Sequence, residues 1–180
     1  MTPIPLAYSD RNTRILITLF LLTMFAAIIV AGLNVYDKVG RIRGGVTERY
    51  GPDPAEAGDV SALPREGDVL VARMNTFSQL LDVTHAHVFE LPLVMFVLAH
   101  FIMRCRVPER FKLANYIASS AGTVLFLGAP WLVRYVSVRL APLLYFGAAV
   151  LGISSVIMIF VPIADMWRGD PRNGRSPRAA

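Results

Sequence analysis

All three histidines of the chain, His85, His87 and His100, lie in one apolar stretch, THAHVFELPLVMFVLAH, together with Glu90 and Pro92. Asp82 stands one turn before them. Ionisable side chains inside a membrane span are costly, so they face a partner, a cavity or a ligand. Imidazole and carboxylate together suit zinc, copper or iron, which makes Asp82, His85, His87 and Glu90 a candidate metal set. Imidazole is also the usual axial ligand of haem b, which makes His85, His87 and His100 candidate cofactor ligands. A quinone-like ligand is a third fit, and a proton relay through Glu90 and His100 a fourth.

The spacing limits each reading. At about 100° per residue, with Asp82 at zero, His85 falls near 300°, Glu90 near 80°, His87 near 140° and His100 near 0°. Asp82, His85, Glu90 and His100 are therefore expected to share a broad face pointing into the bundle, with His87 elsewhere. His85 and His100 stand about 22 Å apart along the axis, roughly the plan for two stacked haems. Six-coordinate haem then needs a ligand from another helix, and the candidates are Met24, Met158, a second copy or a partner subunit. On a regular helix His85 and His87 diverge by about 200°, so they grip one metal ion only where the helix is unwound. A relay has few polar residues in the other spans to continue it. The bland alternative is that these groups satisfy one another and the carbonyl freed by Pro92.

The elements that position this stretch are membrane spans. Of the 180 residues 54% are hydrophobic, with a mean hydropathy of +0.50. Charges gather in blocks between apolar runs, each near the roughly 20 residues needed to cross a bilayer. Four runs are legible: 15–36, 76–104, 111–135 and 140–167. The expected fold is all-α, an integral membrane four-helix bundle with a long irregular extracytoplasmic loop between helices 1 and 2. The run from Ile15 is too long for a secretory signal core and is read as a retained span.

Residues 1–14 form a polar arm and 168–180 a basic tail of disordered composition. Residues 37–75 are rich in Gly and Pro and read as a turn-dominated excursion. Thr76 and Gln79 have the form of a capping box opening the second span. Small residues four apart, Ala27 and Ala31, Ala118 and Gly122, Ala148 and Gly152, mark possible close-packing faces. Trp131 suits an interface, and Arg134 and Arg139 are expected to snorkel toward it. Asp165 is expected to pair with Arg168 or a loop cation.

Ten of the 18 basic residues fall on the side that holds the arm, the 104–112 connection and the tail. The positive-inside rule places that side, and both termini, in the cytoplasm. The net charge of +5 flanks spans rather than forming a nucleic-acid footprint, so no nucleic-acid partner is expected. The single cysteine, Cys105, allows no intramolecular disulfide and is expected as a cytoplasmic thiol. There is no Gly-rich phosphate loop, no Ser-His-Asp arrangement and no Cys-based metal pattern.

The segment MNTFSQLLDVTHAHVFELPLVMFVLAHF, with APWLVRY and VPIADMW, resembles a functionally uncharacterised family of small bacterial inner-membrane proteins. The likeness covers about Thr76 to Trp167. It implies four spans, a long first loop and a THxH motif opening the second span. It also singles out Thr84, His85, His87 and His100. The resulting expectation is a bacterial inner-membrane accessory or assembly subunit of a redox-related complex, not an enzyme on its own. Its partners are the lipid bilayer and other membrane subunits or further copies. The alternative is a non-enzymatic structural subunit whose polar groups only lock the bundle.

Overall fold

A computed structural model describes residues 5–37, 45–52 and 77–168, apart from the side chain of Glu48. Within them the chain is all-helical, with no strand. The helices are α1 (Arg11–Val35), α2 (Val46–Tyr50), α3 (Phe77–Met103), α4 (Glu109–Tyr135) and α5 (Pro142–Trp167). Short 3-10 turns at Leu6–Tyr8 and Val138–Leu140 precede α1 and α5. Helices α1, α3, α4 and α5 are each long and apolar enough to cross a membrane. Thr76 of the expected capping box, most of 37–75 and the tail after Arg168 lie outside the described residues.

Local chemistry sets several helix ends. Asp10 caps α1, its carboxylate accepting the Thr13 N–H at 3.1 Å. Hydrogen bonds from Thr13 hold that carboxyl below its ordinary range. Pro142 occupies the first turn of α5, where a missing N–H leaves nothing unsatisfied. Gly45 enters α2 at a φ of 52°, a left-handed conformation that suits glycine.

The tightest helix pair is α4 with α5, and two glycines make it so. A Cβ on Gly122 would lie 2.8 Å from the Leu151 nitrogen, and one on Gly147 would lie 2.7 Å from that of Phe126. In lipid, close backbone approach and dispersion replace the hydrophobic drive, so small residues mark the seam. Gly122 is therefore a packing position as expected. Gly152 is not, since nothing lies within 4 Å of its Cβ position, and the contact glycine of α5 is Gly147. Ala27 and Ala31 are exposed, so α1 does not use that face here. Only Leu21 of the 25 residues of α1 is buried.

A main core of Leu21, Leu98, Ile102, Met158, Ile159 and Met166 joins α1, α3 and α5. A smaller one, with Val46, Val133 and Leu144, joins α2, α4 and α5. The end that holds the N-terminal turn and the end of α5 is locked by polar contacts. Asp165 accepts the Arg106 N–H at 3.2 Å and its Nε at 3.0 Å, so its partner is the loop cation. Arg14 donates to the Ala7, Ser9 and Met166 carbonyls. Buried Lys112 donates to the Met103 carbonyl at 3.0 Å, satisfying the C-terminus of α3.

At the opposite end α2 docks on α4. Val46 is fully buried, and Arg134 donates to the Gly51 carbonyl at 2.8 Å. The first loop is thus not turns alone. Its segment 45–52 is a small folded cover over one end of the bundle.

Candidate functional site

The rotation of α3 decides which of its polar groups can act together. Its buried residues are Leu80, Met95, Leu98 and Ile102. On the wheel that starts at Asp82 they fall between about 160° and 220°. Asp82, His85, Glu90 and His100 lie away from this arc, and all four are exposed. The face expected to point into the bundle points out of it. The reason lies in packing. Thr84, near 200°, accepts the Trp131 indole N–H at 2.9 Å, and Leu98 and Ile102 fill the core. A helical wheel fixes only relative directions, and the larger aliphatic set took the inside.

His87 behaves differently from the other two histidines. It sits at the edge of the buried arc, half-buried, with its Nδ1 3.4 Å from Glu90 Oε2. It also lines a cavity of about 290 Å³ where all five helices meet. Polar groups around this space come from Asn34 of α1, Arg49 and Tyr50 of α2, and Thr84 and His87 of α3. Leu80, Val83, Phe126, Leu127 and Leu144 supply apolar walls. Pro130 also lines it and, having no N–H, withholds the helical donor from the Phe126 carbonyl. The combination is an apolar slot with a few convergent polar groups, the usual make-up of a small-ligand site.

The other expected constellations do not assemble among the described residues. Among the described residues no three His, Cys, Asp or Glu side chains come together to hold a metal ion. His85 has the Phe89 ring edge-on at 5.5 Å, and His100 is exposed on the same outward arc. Met158 is fully buried in the core and Met24 packs against it, so neither faces those histidines. Among the described residues, no second axial ligand faces His85 or His100.

The sequence reading has Asn34 only as one of the few polar residues outside the second span, and it misses Arg49 and Tyr50. The last two fall in a Gly- and Pro-rich stretch, and five helical residues are too few to show a period. The available signal was VTERY itself, a helix-compatible run between Gly45 and Gly51.

Cys105 lies in the connection after α3 and is buried. Burial first, then the nearby Asp165 carboxylate, pushes its thiol from an ordinary 9.0 up to about 12. It is a thiol at any physiological pH.

Residues 44–173 match the model of the Aq_1264_TM family, described as a transmembrane helical domain. The match spans well over half of the chain, and the protein belongs to that family. It covers α2 to α5, the helices that supply most of the cavity. No curated protein and no solved structure matches the chain.

Proposed function

We propose that this transmembrane helical domain is an accessory subunit of a bacterial inner-membrane redox complex, and that it holds a quinone-like ligand in the cavity beneath α2. His87 is the polar anchor. The observation that carries this reading is the cavity itself, with apolar walls from α3, α4 and α5 and polar groups converging from α1, α2 and α3. Its volume is at the lower end of small-ligand sites, suited to a planar head group whose tail runs out toward lipid.

Haem and metal have weaker support, because no ligand set for either comes together among the described residues. The side chains around the cavity offer a hydrogen bond or a proton, while electrons come from a partner. That is why the domain acts with other subunits rather than as an enzyme alone. The basic residues at the end that holds the termini favour a cytoplasmic placement of that end, with α2 and the cavity outside.

One observation favours the structural alternative for Thr84: its hydroxyl links α3 to Trp131. The same reading has no account of Asp82, His85 and His100, which make no polar contact among the described residues.

The test uses tryptophan fluorescence, since the chain has two tryptophans and only Trp131 lies near the cavity. In a Trp167→Phe background, a short-chain quinone should quench Trp131 saturably in detergent. Replacing His87 by Leu should weaken binding about tenfold, the effect of losing one buried hydrogen bond. Quenching that does not saturate, or that ignores His87→Leu, contradicts the proposal.

A further inference from the structure

The outward arc of α3 has a regular composition. Asp82, His85, Phe89, Phe96 and His100 recur at spacings of three, four, seven and four residues, the period of a helix that packs against another helix. None is covered by the described residues: Phe89 and Phe96 are 69% and 70% exposed, and the charged or polar three are exposed with them. Large aromatic groups can face lipid without penalty, whereas Asp82 and His85, in the opening turns of the span on the same arc, gain from a polar partner.

We infer that this arc is the seam of a homodimer, in which α3 of one chain packs in parallel against α3 of a second copy. Charge complementarity selects the occupant. Copies of one chain insert in one orientation, so two of them associate about an axis along the membrane normal and bring equal depths together. Asp82 of each copy then lies within one turn of the second copy's His85. The same acid–imidazole pair forms twice by symmetry, giving each group a polar partner. Phe89 and Phe96 make the layers between, and the two His100 rings meet near the other end. The cavity lies on the opposite flank of α3, so this inference stands or falls independently of the ligand reading.

The experiment is disulfide trapping in native membranes with the full chain. Cys105→Ala removes the single native thiol. Phe89→Cys and Phe96→Cys are compared with Val124→Cys on α4 and Ile153→Cys on α5, which are 70% and 64% exposed. After oxidation with a membrane-permeant copper complex, the two α3 positions should form covalent dimers about tenfold faster than the two controls. Asp82→Lys should cut the yield at Phe96→Cys about tenfold, because it replaces the acceptor facing the second copy's imidazole with a cation. The swap of Asp82→His with His85→Asp should restore it, which separates lost pairing from lost folding. Absence of dimers at both α3 positions, or equal rates at all four, overturns the inference. So does an Asp82→Lys variant that cross-links as well as the parent.

Discussion

Trp131 on α4 donates its indole N–H to the Thr84 hydroxyl on α3 at 2.9 Å, while that hydroxyl donates to the Leu80 carbonyl at 2.7 Å. Together with the aliphatic packing of Leu98 and Ile102, this link holds α3 so that His87 borders the cavity and His85 and His100 face outward. Phe77 packs edge-on against the same indole with 5.4 Å between ring centroids, anchoring the start of the helix. A double-mutant cycle with Trp131→Phe and Thr84→Val should return a coupling of about 0.6 kcal/mol, typical of interhelical hydrogen bonds in membranes. Unfolding in detergent measures it, and additive effects would mean that the bond does not hold α3.

The other end of the bundle depends on Asp165 and Arg106. Removing the carboxylate takes away one acceptor of a partly exposed guanidinium whose Nη2 still donates to the Asp165 carbonyl, so the full penalty of a broken buried pair is discounted. Asp165→Ala should cost about 2 kcal/mol. Arg139→Ala, an exposed position, should change stability by less than about 0.5 kcal/mol. Comparable losses in the two variants would contradict the lock.

The helix seam makes a sharper contrast. Gly147→Ala should cost about 2 kcal/mol, because the new methyl meets the Phe126 backbone and α4 and α5 must separate. Gly152→Ala, five residues on and with open space around it, should stay within about 0.5 kcal/mol of the parent. Unfolding midpoints of the two variants, measured side by side, decide between these registers.

These two glycines show what a membrane sequence can and cannot reveal. The four spans are legible because the bilayer demands about 20 apolar residues per crossing, and few other constraints produce such runs. Which side of a span faces inward is not legible in the same way, since lipid is as apolar as a leucine core. Phe89 and Leu98 are equally at home in either place. Gly147 and Gly152 differ only in register, and the Gly147 contact is visible only once α4 is in position. The helical wheel already sets His87 apart from His85 and His100, but which of them lies toward the cavity is visible only once α3 is packed against Trp131 and the core.

Cys105 allows a pH prediction. Its thiol is pushed up to about 12 in the fold from an ordinary 9.0, so the neutral form is the folded one. The stability this contributes is complete below pH 9.0 and is lost as the pH rises toward about 12, where the unfolded chain ionises first. At pH 8 a maleimide should label the folded protein far more slowly than the detergent-denatured chain. Equal rates would place the thiol at the surface.

The cavity beneath α2 is tested most directly by photolabelling with a short-chain azidoquinone, followed by peptide mapping. The account predicts saturable adducts on Val46–Tyr50 and on α3 between Leu80 and His87, displaced by excess unlabelled quinone and reduced by His87→Leu. Label confined to the outward arc around Phe89, Phe96 and His100, or spread along every lipid-facing surface without saturation, would contradict it.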